Sequence, residues 1–237
     1  KSDKLRNLMR LLSSKIIVYT RQQQFELKNK MPKKIILAAP NAVLSSSKME
    51  FSTTNNKFNI IYVGRLTKLK KPFFLVESFA KEIHRYPSKT KLIIIGEGEE
   101  KNKIKNYIVK NKLSQRIELL GHISNNEKLK DLYFTSFFSV SPGYVGLSII
   151  QSFGFGVPML VSRNENHSPE IEALNINENG LFFETNQEDN FNNVLLQAFK
   201  ERECWTEKSV HIVKSCQKNY STESMAETFI KLAKNES

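Results

Sequence analysis

Two cations and one glycine-rich loop carry the chemistry that can be read in this chain. Arg65 and Lys70 lie in Gly64-Arg-Leu-Thr-Lys-Leu-Lys70, directly after an apolar run. A guanidinium grips a phosphate with a planar fork, and a lysine adds a mobile point charge. Further on comes Ser141-Pro-Gly-Tyr-Val-Gly-Leu-Ser-Ile-Ile-Gln-Ser-Phe-Gly-Phe-Gly-Val-Pro-Met-Leu-Val161. It reads as a glycine-rich loop, a short apolar helix and a Gly-x-Pro turn into a buried strand. Such a loop aims backbone N–H groups at whatever lies before the helix. Unpaired donors and the positive end of the helix dipole favour phosphate there. Each piece alone also fits a plain surface arginine or a tight turn. Together they suit a diphosphate held from two sides.

These groups need a scaffold. Phe58–Val63, Lys91–Ile95, Arg116–Leu120, Phe137–Val140, Pro158–Val161 and Gly180–Phe183 are apolar runs that read as strands, the first three followed by Gly64, Gly96 and Gly121. Pro72 opens a helix whose Val76, Phe79, Ala80 and Ile83 recur with helical spacing. The stretch 99–112 is helical by the spacing of Ile104, Tyr107 and Ile108. Ser124 with Glu127 predicts a capping box for a short helix. Gly96-Glu-Gly98 lacks the third glycine of a dinucleotide fingerprint and reads as a turn into a helix. Continuous apolar strands separated by helices predict an α/β domain: a Rossmann-like, doubly wound parallel sheet over 57–220. Ligands bind such sheets at the carboxyl ends of the strands. Residues 1–45 hold two helices and the strands Lys15–Tyr19 and Lys34–Leu37, too little for a complete domain. A polar linker is expected at 46–56, and a separate tail over 221–237 with a helix at 222–234.

Composition narrows the function classes. The 237 residues are 40% hydrophobic and 25% charged, as in an ordinary globular protein. No apolar run approaches the roughly 18–20 residues of a membrane helix, and no signal peptide is visible. The chain opens on Lys1 rather than Met, so a piece of a longer protein is expected. The net charge of +12 suits nucleic acid, an anionic membrane surface or a phosphorylated small molecule. Lys101, Lys103, Lys105, Lys110 and Lys112 are scattered along a helix rather than interleaved with aromatics. That argues against nucleic acid and for a solvated face, with an acidic membrane surface second. Cys204 and Cys216 make neither a disulfide framework nor a zinc site, so reduced thiols and a cytoplasmic location are expected. The four histidines have no metal-ligand spacing, and Asp at only 3, 131 and 189 allows no Asp-x-Asp motif.

In combination these motifs resemble the C-terminal half of the glycosyl transferases group 1 family, the retaining nucleotide-sugar transferases of GT-B fold. Val63-Gly-Arg-Leu66 with Lys70 is similar to that family's Gly-Arg-Leu-x-x-x-Lys. Pro40-Asn-Ala-Val43 resembles its Pro-Asn-Gly-Val, and Gly96-Glu-Gly98 its Gly-x-Gly. Leu120-Gly-His-Ile-Ser124 and Asn179-Gly180-Leu181 resemble its Gly-x-(Val/Ile)-(Ser/Pro) loop and its Asn-Gly-Leu turn. The resemblance implies a sugar transfer from a nucleotide diphosphate sugar to an acceptor, with retention, in surface polysaccharide or glycan synthesis. Arg65 and Lys70 would stabilise the leaving diphosphate, with no metal and no cofactor beyond the donor substrate. Gly64, Tyr144, Val145, Gly146 and Leu147 would face the donor, and backbone groups at His122 and Ile123 would hold the base. Residues 1–45 would end an acceptor-side domain, onto which the tail helix crosses back. The acceptor would be a sugar or lipid-linked molecule, with peripheral contact to an anionic membrane.

The chain departs from the family where it keeps two glutamates separated by seven residues. Gly143 and Gln151 stand there. Gln151 can still hydrogen-bond a ribose, whereas Gly143 cannot replace a carboxylate. The pattern resembles a Pro-Gly-x-Val-Gly-Leu variant of polysaccharide transferases, with an inactive or altered enzyme as the sharper reading. His167-Ser-Pro-Glu170 resembles that variant's His-x-Pro-Glu, so Glu170 would contact the sugar or cap the following helix. A non-catalytic sugar-nucleotide-binding protein and an epimerase or phosphorylase of the same fold remain alternatives.

Overall fold

The computed structural model describes residues 2–234. The chain begins with α1 (Ser2–Leu12), β1 (Lys15–Val18), α2 (Arg21–Lys30) and β2 (Ile35–Ala38). β1 and β2 pair in parallel as a two-stranded sheet, with Lys15 opposite Ile35. Thr20 starts α2 because its hydroxyl accepts from Gln23 N, filling one of the orphan donors of the first turn. The core here is small: Val18, Leu27 and Ile36.

The remaining strands are β3 (Asn59–Val63), β4 (Leu92–Ile95), β5 (Ile117–Gly121), β6 (Ser136–Ser141), β7 (Met159–Ser162) and β8 (Gly180–Phe183). The helices between them are α3 (Pro72–Lys81), α4 (Lys101–Lys110), α5 (Asn126–Phe134) and α6 (Ser148–Gly154). α7 (Glu188–Lys200), α8 (Arg202–Glu207), α9 (Ser209–Tyr220) and α10 (Thr222–Ala233) follow the last strand. The strands form one six-stranded sheet of order β5-β4-β3-β6-β7-β8, every pair parallel. The chain runs outward from β3 to β5, returns to β6 on the other side of β3, and runs outward to β8. That reversal opens a crevice between the carboxyl ends of β3 and β6.

Period-two alternation divides the strand residues between two cores. Ile60, Tyr62, Leu92 and Ile94 pack with Leu75, Phe79, Ile104, Leu195 and Trp205 on the α3, α4, α7 and α8 side. Ile61, Ile93, Ile95 and Val161 pack with Leu129, Ile149, Phe153 and Ile212 on the α5, α6 and α9 side. Each fully buried Ile or Phe contributes roughly 1.5–3 kcal/mol, so these two layers fix the strand ends rigidly.

Three sequence expectations change. The helix expected over 99–112 is shorter, Lys101–Lys110, because Gly98 at φ +154° and Lys112 at φ 55° take left-handed backbone on either side of it. The cap of α5 is Asn125, not Ser124: its Oδ1 accepts from Glu127 N at 2.9 Å and Lys128 N at 3.1 Å. The polar tract 46–56 is docked rather than loose. Met49 is buried with Leu44 in the second core, and Glu50 N donates to Gly154 O at 3.0 Å. Met49 is the one large apolar side chain of that tract that reaches the core, and the polar composition around it hides this.

The small sheet is tied to the rest of the chain through polar contacts. Both oxygens of Glu172 accept from the start of α2, Arg21 N at 2.8 Å and Gln22 N at 2.7 Å. α10 lies against β2, with Thr228 Oγ1 donating to Ala38 O at 3.3 Å. Near its end, Lys15 Nζ donates to Leu232 O at 2.6 Å.

Candidate functional site

The loop after β3 is held open by the loop after β4. Gly64 N donates to Ile95 O, and Leu66 N to Glu97 O. A Cβ on Gly96, at φ +149°, would lie 1.9 Å from Gly64 O, so only glycine lets the two loops cross. Tyr62 Oη donates to Arg65 O at 2.8 Å and fixes the backbone that carries the guanidinium. A single 3-10 turn, Lys68–Lys70, then brings Lys70 back over the crevice.

The loop after β6 meets these cations. Arg65 Nη2 donates to Tyr144 Oη at 2.9 Å, and Lys70 Nζ donates to Tyr144 O at 2.8 Å. Lys70 Nζ also lies 3.5 Å from the centroid of the Tyr144 ring, a cation–π contact. Burial, and then the charge of Arg65, lower the Lys70 pKa to about 8, against an opposing pull from Glu170. A half-buried ammonium with another cation beside it is poised to gain from an arriving anion.

Two cavities meet at Gly64 and Arg65. The larger, of about 470 Å³, is lined by Arg65, Lys70 and Tyr144, by Gly146, Leu147 and Ser148 at the start of α6, and by Ser168 and Glu170. Tyr19 and Asn41, from the small sheet's side, complete it. The smaller, of about 330 Å³, is lined by His122, Ile123 and Gln151, with Gly96 and Glu97 opposite. The structure therefore brings Arg65, Lys70, Gly64, Tyr144, Gly146, Leu147 and Glu170 to one cavity, and His122, Ile123 and Gln151 to its neighbour.

Gly143 and Val145 line neither cavity. A Cβ on Gly143 would lie 2.2 Å from Leu69 O and 2.8 Å from the Lys70 Cα, so the loop packs directly on the lysine's own backbone. The Val145 side chain is buried in the second core, and its amide donates to Nδ1 of His167 at 3.0 Å. Both residues shape the loop, Gly143 through its close packing and Val145 through its buried side chain and its amide. Glu170 lies in the first turn of the 3-10 helix Pro169–Ala173. It is buried, at 7% exposure, and accepts from Asn41 Nδ2 at 2.6 Å.

Sequence reasoning passes over Tyr19, Glu97, Ser168 and the roles of Asn41 and His167. Asn41 and His167 lie inside Pro40-Asn-Ala-Val43 and His167-Ser-Pro-Glu170, which is a signal. Tyr19 ends an apolar strand with nothing to mark it. Among the described residues no group of three or more His, Cys, Asp or Glu could hold a metal ion, and no helix is long and apolar enough to cross a membrane.

Comparison with known proteins fits this geometry. The family model for glycosyl transferases group 1 matches residues 46–236. An uncharacterized glycosyltransferase of Methanocaldococcus jannaschii is 33% identical over 124 residues, 52% of this chain and 30% of that protein. The alpha-monoglucosyldiacylglycerol synthase of Acholeplasma laidlawii is 28% identical over 139 residues, 56% of this chain and 33% of that protein. The match thus spans about a third of the length of these curated relatives. Among solved structures, Anabaena Alr3699/HepE in complex with UDP aligns with a TM-score of 0.73 at 14% identity, over 97% of this chain and 66% of that one. S. aureus TarM aligns with a TM-score of 0.70 at 21% identity, over 92% of this chain and 43% of that one. Identities this low carry the fold alone, the α/β arrangement of GT-B glycosyltransferases. With the family match covering most of its length, the chain belongs to the glycosyl transferases group 1 family.

Proposed function

We propose that the protein is a glycosyltransferase that binds a nucleotide diphosphate sugar in the two joined cavities and passes the sugar to an acceptor with retention. One observation carries this most directly: Arg65 and Lys70 converge on Tyr144 at the mouth of the crevice between β3 and β6. Two cations there, beside the first turn of α6, suit a diphosphate whose charge grows as the sugar departs. Arg65 and Lys70 hold that charge, and Tyr144 sets their geometry. The smaller cavity takes the nucleoside, with the backbone at His122 and Ile123 toward the base and Gln151 toward the ribose. Solved structures of this fold hold UDP, which supports a nucleotide diphosphate as the ligand.

In this reading residues 1–45 are the last elements of an acceptor-side domain, 57–220 the donor domain, and the tail helix a strap between them. The acceptor, a sugar or lipid-linked molecule, enters from the side of Tyr19 and Asn41. The net charge of +12 favours peripheral contact with an anionic membrane on the cytoplasmic side. The dense packing around Gly143 favours a purpose-built loop over an eroded one. Calorimetric titration with UDP, GDP and their common sugars tests the reading. Saturable binding of one nucleotide series supports it, and no binding of either series contradicts it.

A further inference from the structure

We infer that Lys71 is a positioning residue for the paired cations: its ion pair with Glu165 ties the turn that carries Lys70 to the loop after β7. The inference rests on the donor reading above and adds a residue outside both cavities.

Lys71 stands where the 3-10 turn Lys68–Lys70 ends and α3 begins. Its backbone is left-handed, at φ 51°, a conformation that a side chain disfavours. Such backbone persists only where its surroundings hold it, and it clusters at functional sites. Here the hold is visible. Lys71 Nζ lies 2.5 Å from Glu165 Oε1, in a pair whose side chains are 26% and 14% exposed. The same Nζ donates to Asn186 Oδ1 at 2.8 Å. Asn186 is itself left-handed, at φ 61°. Glu165 follows β7 and Asn186 follows β8. Thr185 Oγ1 knits the two loops by accepting from Asn164 N at 2.8 Å. Lys71 thus reaches a pair of acceptors that the loops hold ready for it.

The contacts close into a ring. Lys70 Nζ donates to Tyr144 O, and the next amide, Val145 N, donates to Nδ1 of His167. His167 N donates to Glu165 O at 2.9 Å. The Glu165 carboxylate takes Lys71, the chain neighbour of Lys70. Lys70 needs such a frame. Its half-buried ammonium feels Arg65, Glu170 and His167 and sits on Tyr144, and both burial and the arginine's charge favour its escape to water. Lys71 holds the backbone from which that ammonium is aimed.

The test is calorimetric titration of UDP and GDP at pH 7 and pH 9 into wild type, Lys71→Gly, Lys71→Arg and Glu165→Ala, with thermal melts of each. Glycine is at ease in left-handed backbone, so K71G removes the tie without straining the turn. Diphosphate affinity falls about fivefold in K71G and in E165A, the upper weight of a surface ion pair. The sign in E165A is decisive, because losing a nearby negative charge would by itself raise the affinity for an anion. K71R keeps the cation and stays close to wild type. The pH profile supplies a readout that general loosening does not move. Wild type loses affinity between pH 7 and pH 9 as Lys70 titrates near 8. In K71G a Lys70 released to water stays charged, and that loss shrinks. Level or raised affinity in K71G or E165A, a loss in K71R equal to that in K71G, or an unchanged pH profile in K71G would overturn the role of Lys71 while leaving the donor reading standing. No binding of UDP or GDP to wild type would bring down both.

Discussion

The amide of Val145 donates to Nδ1 of His167 at 3.0 Å, and Nε2 of the same ring lies 2.9 Å from Ser162 O. Val145 O in turn accepts from Ser168 N at 3.0 Å. A neutral imidazole with its proton on Nε2 satisfies both contacts at once. It therefore pins the glycine loop to the end of β7. Arg65 and Lys70 meet Tyr144, the residue next to that pinned amide, so the paired cations and the His167 contact are one construction.

Replacing His167 with Ala should destabilise the protein by about 1–3 kcal/mol, since the Val145 amide loses its acceptor in a part-buried site. Burial lowers the ring's pKa below its ordinary 6.5, against smaller raising effects from the Ser162 and Arg163 backbone and Glu165. The sign follows: the neutral ring's contribution is complete above about 6.5 and is lost as pH falls toward the lower folded value. Thermal melts from pH 8 to pH 5 should decline more steeply for wild type than for H167Q. Parallel curves would contradict the assignment.

Lys70 gives the opposite pH dependence. Its pKa of about 8 in the unliganded protein means that the ammonium is progressively lost above that pH. Diphosphate affinity should fall as pH rises through about 8, approaching tenfold per unit. Lys70→Arg keeps its charge in this range and should flatten the profile, though its planar fork fits a point-charge site less well. Titrations of UDP or GDP from pH 7 to pH 9.5 check both curves.

Gly143 should tolerate no side chain. With Leu69 O only 2.2 Å from where a Cβ would sit, Gly143→Ala forces the loop off the 3-10 turn. A cost of about 1–3 kcal/mol is expected, as for other overpacked sites. Gly143→Glu, which would reinstate the family's first glutamate, should weaken nucleotide binding rather than improve it. Denaturant melts and a nucleotide titration on each variant measure the two effects.

Glu172 caps α2 from across the fold through Arg21 N and Gln22 N. Glu172→Ala should cost about 0.5–2 kcal/mol, as other lost N-terminal caps do. The loss should be local, read as faster amide exchange over 21–24 with the large sheet unchanged.

The large sheet was legible because its strands are largely apolar runs, three of which stop at Gly64, Gly96 and Gly121, and central strands such as β4 are buried throughout, while edge strand β5 leaves Leu120 exposed. Arg65 and Lys70 were legible for the same reason: they follow a strand end. The rest of the site depends on contacts that periodicity does not report. Asn41 and Tyr19 reach the cavity only because the small sheet docks beside the 3-10 turn after β7. His167 matters through one backbone amide, and Gly143 through the carbonyl of Leu69. A motif records that a glycine is present, while packing decides whether it presents an amide or makes room for a neighbour.

Titration of UDP and GDP into wild type, Arg65→Ala and Lys70→Ala tests the central claim most directly. Wild type should bind at least one of them, and each variant should lose about tenfold or more, as expected for a charge-assisted contact removed from a part-buried site. Unchanged affinity in both variants would contradict the placement of the diphosphate at Arg65 and Lys70.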